Sequence, residues 1–187
     1  DGGMDEVLFA PRVARYLRMQ GVKRGTGWGY SIFEMTVLNP EEVPVASASS
    51  SASEHLPEKV LDGDITSHWR AAVGNASVIV NFRAERSIGG LELEWGAEFP
   101  DLYSVEASRD GSEWKQVDRI LGTDGGRDLV FFPSVTARFM RLSVVSMRPV
   151  SLREISFLEG APAVSPDRHF ESLNSRIPKG MLPRWIE

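Results

Sequence analysis

Apolar residues alternate with polar ones in short runs along most of the chain. Val78-Ile-Val-Asn-Phe82 and Leu91-Glu-Leu-Glu-Trp95 are two such runs, the second strictly alternating. A period of two puts one apolar face on a pleated strand, so each run predicts a half-buried strand. Tyr103-Ser-Val-Glu-Ala-Ser108 alternates as well, and Arg109-Asp-Gly-Ser112 turns it into Trp114-Lys-Gln-Val117, a hairpin with an Asp-Gly turn. Leu129 to Phe132, Phe139 to Val145 and Leu152 to Leu158 bring the total to at least seven short strands. No stretch of ten residues carries a helical stripe. Short strands separated by turn signals predict an all-β sandwich or jelly roll.

The pattern also repeats. Asp1-Gly-Gly-Met-Asp-Glu-Val-Leu-Phe9 matches Asp124-Gly-Gly-Arg-Asp-Leu-Val-Phe-Phe132, and Ala14-Arg-Tyr-Leu-Arg-Met19 matches Ala137-Arg-Phe-Met-Arg-Leu142 without a gap. After a shorter loop in the second copy, Ser31-Ile-Phe-Glu-Met35 answers Ser151-Leu-Arg-Glu-Ile155. The second copy ends a domain that starts near Val45, so residues 1–39 are expected to be the C-terminal strands of a truncated module. Residues 40–45, with Pro40 and Pro44, have linker chemistry. Residues 46–160 form the complete module, and residues 161–187 read as a linker and tail into a following domain. Strands without their neighbours expose apolar faces and open edges. A partner chain, an upstream segment or packing on the full module is therefore expected to complete residues 1–39.

Charge and composition narrow the function. The 187 residues carry a net charge of −5, which draws the chain neither to nucleic acid nor to an anionic membrane. Lys23, Arg24, Trp28 and Tyr30 interleave charge and aromatics, but a structural loop or a sugar surface explains them better than a nucleic-acid patch. No apolar run approaches the ~20 residues needed to span a bilayer. With no cysteine there is neither a disulfide framework nor a thiol nucleophile. Three histidines, His55, His68 and His169, show no spacing suited to a triad or a zinc site.

The densest chemistry lies in Lys59-Val-Leu-Asp-Gly-Asp-Ile-Thr-Ser-His-Trp69. Asp62, Asp64, Thr66 and Ser67 offer oxygens from a loop that Gly63 allows to fold back, which suits a hard cation. The alternative is a hydrogen-bonded Asp-Gly turn beside a core tryptophan. Glu154 interrupts an otherwise apolar last strand. If it shares a cation with Asp62, the first and last parts of the module are tied together.

These residues carry a family resemblance. The 59–69 stretch, Tyr103-Ser-Val-Glu-Ala-Ser-Arg-Asp-Gly-Ser-Glu-Trp114, Ala137-Arg-Phe-Met-Arg-Leu142 and Glu154 together resemble the discoidin, or coagulation factor 5/8 type C, domain. The likeness extends to the family-32 carbohydrate-binding modules of bacterial glycosidases. It implies an eight-stranded jelly-roll β-sandwich, preceded here by the end of a sister copy. It also implies a structural Ca2+ held by the carbonyl of Lys59 with Asp62, Asp64, Ser67 and Glu154.

In such modules loops at one end of the sandwich take the glycan ligand. An aromatic face meets the sugar ring and polar groups meet its hydroxyls. Candidates here are His68, Arg70, Trp95, Glu98, Phe99 and Arg148. The expectation is a non-catalytic, glycan-binding module of a larger secreted, periplasmic or envelope protein, probed against an adhesion module that docks on protein or lipid. No paired-carboxylate cleft or nucleophile elbow argues for catalysis, and Glu92 with Glu94 reads as a solvated strand face.

Overall fold

Two long strands form the frame. β3 (Ala76–Trp95) and β6 (Arg127–Val145) run antiparallel over nearly their whole length, flanked by five shorter strands. These are β1 (Val45–Ala48), β2 (Trp69–Arg70), β4 (Leu102–Ser108), β5 (Lys115–Ile120) and β7 (Ser151–Glu159). The computed structural model describes Val7, residues 14–25, 27–37, 43–72, 74–160, Ser172 and Leu173. The expected tail at 161–187 therefore lies almost wholly outside the described residues, as do residues 40–42 of the expected linker and most of the opening repeat at 1–9.

The strand order is β2-β7-β3-β6-β4-β5, with β1 also on β3. Both long strands bend midway. Their register slips between Asn81 and Arg86, where Arg83 takes φ 66, and slips again between Ile88 and Gly90. Bulges of this kind add local twist and turn a strand out of plane. The first half of β3 thus pairs with β1 and the second half of β6, which in turn holds β4 and β5. The second half of β3 pairs with the first half of β6 and with β7, which holds β2. One antiparallel sheet is folded over into two layers, a β-sandwich.

Alternation then fills the space between the layers. Val78, Val80, Val105, Met140 and Leu142 from one layer face Leu91, Leu93, Ile155 and Phe157 from the other around a void of only about 10 Å³. Phe82 meets Phe157 edge-on, with ring centroids 4.7 Å apart. Each such side chain contributes about 1.5–3 kcal/mol by leaving water. The runs at 78–82 and 91–95 are one bent strand, as are those at 129–132 and 139–145. Among the described residues the sandwich is built from seven connected strands, two of them long enough to serve both layers.

The chain divides into two units, Asp1–Val43 and Pro44–Glu187. In the first, none of the described residues among 14–37 lies in a strand, and the rest of the expected C-terminal strands falls outside the described residues. Tyr16, Trp28 and Phe33 are largely exposed there. A strand needs a hydrogen-bonding neighbour and a face to cover, and the described part of this unit supplies neither.

Candidate functional site

The acidic loop folds on its own oxygens. A single 3-10 turn over Pro57–Leu61 buries Val60 and delivers Asp62 at its C-terminal end. Gly63 follows at φ +71, a conformation costly for other residues. Asp62 Oδ1 then accepts from the Asp64 amide at 3.0 Å, and Asp62 Oδ2 from Ser67 Oγ at 2.7 Å. Lys59 Nζ lies 3.4 Å from the same Oδ2. Asp64 turns back into the loop, where its Oδ1 accepts from the Thr66 amide at 2.9 Å and Thr66 Oγ1 at 2.6 Å. Trp69 is fully buried beneath, its Nε1 donating to the Ser50 carbonyl at 3.0 Å.

Glu154 reaches this loop because β7 carries a bulge. Trp95 pairs with Leu152 and Glu94 with Glu154, so Arg153 is the extra residue and both Leu152 and Ile155 point inward. The Gly63 amide donates to Glu154 Oε2 at 3.2 Å. Burial pushes the Glu154 carboxyl up to about 7, with the neighbouring Asp62 charge adding to it and the Gly63 amide opposing.

The loop and the last strand therefore converge, as calcium ligation by Asp62 and Glu154 requires. A divalent cation would supply the positive charge that this half-buried carboxylate lacks. Asp64 Oδ1 is engaged by Thr66, and among the described residues no three acidic or histidine groups are placed to hold a metal ion. Asp62, Glu154, the Ser67 hydroxyl and backbone carbonyls such as that of Lys59 are the oxygens that fit a hard cation.

A second cluster lies along edge strand β2. Trp69 points inward, so His68 and Arg70 share the opposite face. Arg70 makes a bidentate pair with Glu98, Nε to Oε2 at 2.6 Å and Nη2 to Oε1 at 2.9 Å. The arginine hydrogen bonds hold Glu98 below its usual carboxylate range. Glu98 is placed by its own backbone: its carbonyl accepts from the Ser151 amide at 2.7 Å and its amide donates to Ser151 Oγ at 3.2 Å. Gly96 suits the position beside it, because a Cβ there would collide with the Ser151 side chain.

His68 stacks on His55, with centroids 4.2 Å apart and planes 23° from parallel. Burial first, then His55, Arg153 and Arg70, push the His68 imidazole below its ordinary value. The structure thus joins three of the expected ligand residues, His68, Arg70 and Glu98, and adds His55, which no spacing rule connects to them.

The remaining candidates separate. Trp95 is a correction: it is 1% exposed and cannot present a face to a sugar. Its Nε1 instead donates to Asp128 Oδ2 at 2.8 Å. Tyr103 Oη donates to the same oxygen at 2.8 Å and Thr123 Oγ1 to Oδ1 at 2.9 Å, so a fully buried carboxylate joins β3, β4 and the start of β6. Burial drives the Asp128 carboxyl upward, against these three donors. The only sequence signal for Asp128 is a carboxylate abutting the apolar run Leu129-Val-Phe-Phe132. Phe99 is half-buried and packs against the core near Gly125. Arg148 is exposed on the turn after β6. Glu92 is occupied by Arg127, Nε to Oε1 at 2.6 Å, which fits a solvated strand face.

Among the described residues no helix is long and apolar enough to cross a membrane. No curated protein matches the chain. Among solved structures it is similar to chitosan-binding module 1 from the chitosanase/glucanase of Paenibacillus sp. IK-5, at 25% identity and TM-score 0.58, over 61% of this chain and 93% of that module. Module 2 of the same enzyme, solved with chitotriose, aligns at 24% identity and TM-score 0.58, over 60% and 94%. The family 32 carbohydrate-binding module of Clostridium perfringens NanJ, solved with galactose, aligns at 17% identity and TM-score 0.57, over 63% and 95%. The F5/8 type C domain model matches residues 45–155, well over half of the chain, and the protein belongs to the F5/8 type C domain family.

Proposed function

We propose that the module from Val45 to Gly160 is a non-catalytic carbohydrate-binding module, serving a larger secreted or envelope protein that processes glycosides. The observation that carries this is the cluster His55, His68, Arg70 and Glu98 at one end of the sandwich. The stacked imidazoles offer a flat surface to the apolar side of a sugar ring. The Arg70–Glu98 pair offers fixed donors and acceptors to adjacent hydroxyls. The modules of similar fold from Paenibacillus and Clostridium, solved with chitotriose and galactose, support a glycan as the ligand class. A calcium ion on Asp62, Ser67, Glu154 and neighbouring carbonyls belongs to the same proposal. Its role is structural, tying the loop that ends at β2 to β7 beside the sugar cluster.

Binding to an array of oligosaccharides tests the function. Arg70→Ala and Glu98→Ala are each expected to weaken binding by about tenfold or more, since removing one member leaves the other charge without its partner. Binding to lipid vesicles or protein surfaces, with no response to any glycan, would favour the adhesion role instead. Turnover of chromogenic glycosides would overturn the non-catalytic assignment.

A further inference from the structure

The register of the edge strand shows more than the outline of a sugar site. Trp69 pairs with Leu152 and Arg70 with Ser151, so one residue further His68 stands opposite Arg153. Arg153 is the bulged residue of β7 and is exposed. Among the described residues its side chain has no hydrogen bond or ion pair, whereas Arg70 is fully matched by Glu98. The cluster thus carries one surplus positive charge even with both imidazoles neutral.

The placement of His55 is also a built feature. The turn at 52–55 clamps the backbone of Arg70 from both sides, with Ala52 N donating to the Arg70 carbonyl at 2.8 Å and Arg70 N to the His55 carbonyl at 3.2 Å. The His55 amide closes the turn on the Ala52 carbonyl at 3.2 Å, which leaves Glu54 at φ 67. A non-glycine residue in that region is strained, and such strain persists where the surroundings hold it in place. Here it brings one imidazole flat onto the other, next to the unmatched arginine.

We propose that the glycan taken by this cluster is anionic: a carboxylate-bearing sugar whose ring lies on the His55–His68 stack and whose charge faces Arg153. The Arg70–Glu98 pair then serves the hydroxyls, and Arg153 sets the specificity. This rests on the glycan-binding role proposed above and narrows it to uronate-type sugars.

The test uses the whole chain and matched probes: oligogalacturonates, the same oligosaccharides fully methyl-esterified, and chitotriose as a cationic amino sugar. The carboxylate form is expected to bind about 2- to 5-fold more tightly than its ester at low ionic strength, the advantage of one exposed ion pair. That advantage shrinks as salt is raised. Arg153→Gln removes the preference, so that acid and ester bind alike, and Arg153→Lys restores most of it. Arg109→Gln, at the opposite end of the sandwich and paired with Glu85 at 3.6 Å, changes nothing. Equal binding of acid and ester, or tighter binding of chitotriose, overturns the anionic preference while glycan binding stands. Failure of all three probes together with a silent glycan array removes both.

Discussion

Two stretches of this chain carry the same pattern of apolar and polar residues and meet opposite fates. Ala137 to Leu142 forms the middle of β6, where Met140 is 3% and Leu142 4% exposed. Their counterparts in the first unit, Leu17 and Met19, are 51% and 54% exposed. The second pair of repeats behaves alike: Leu152 and Ile155 are buried in β7, while Ile32 and Met35 are more than half exposed. The difference is not in the residues. Around β6 stand β3 and β4, which satisfy its backbone on both edges, while the opposite layer covers its apolar face. Among the described residues of the first unit no strand stands in those places. Alternation fixes which face is apolar, and only a neighbour turns that face into a core.

Matched substitutions in the two copies break or sharpen this contrast. The largest effect belongs to the apolar pair. Leu152→Ala is expected to lose about 2–5 kcal/mol of unfolding free energy, against ~0.5 kcal/mol or less for Ile32→Ala, by chemical denaturation of the whole chain. Equal losses would mean that the first copy buries its face as the second does.

The acidic pair comes next. Calcium at about a hundred times its Kd should stabilise the second module by ~2.7 kcal/mol, a rise of several degrees in Tm. Glu154→Gln abolishes that rise and Glu34→Gln leaves it intact. With chelator present the pH dependence carries its own sign. Glu154 sits at about 7 in the fold against an ordinary 4.5, so the fold binds the extra proton between those values. Its contribution is present in full below pH 4.5 and is lost as pH rises through about 7. A melting series across that window should show stability falling, and Glu154→Gln should flatten it. A chelator without effect on Tm at pH 8 would sink the calcium proposal.

The smallest contrast is between the matched arginines. Arg141 holds Glu106 through two bonds, at 2.6 and 2.9 Å, and lies 4.2 Å from the centre of the Trp114 ring. Its replacement by Ala is expected to cost about 1 kcal/mol, a value held down by partial exposure to solvent. Arg18→Ala should cost ~0.5 kcal/mol or less by the same denaturation measurement. A larger loss at Arg18 would point to an unrecognised partner for the first copy.

Much of the module was legible beforehand. The alternating runs locate every long stretch of β3, β4, β6 and β7, because a half-buried strand writes its burial into a period of two. The meeting of Glu154 with the Asp62 loop was also within reach, since a carboxylate amid inward residues needs a reason to be there. Other features were not legible. The bends that merge two runs into one strand depend on Arg83 and on a register slip, neither of which alternation records. Trp95 shares a strand face with Leu91 and Leu93, so alternation already turned it inward, but its hydrogen-bond partner Asp128, more than thirty residues away, was out of reach. His55 meets His68 only because the 52–55 turn closes over β2.

Taken alone, the order of residues decided which positions are apolar, where turns fall, which oxygens crowd into one loop and that the chain repeats itself. These are local properties, set by alternation, glycine and charge. Tertiary structure decided which of two similar repeats becomes a core, which tryptophan is hidden, and which histidine lies over which. Those outcomes depend on what stands across from a residue, and pairing between distant strands brings residues together that sequence spacing does not connect.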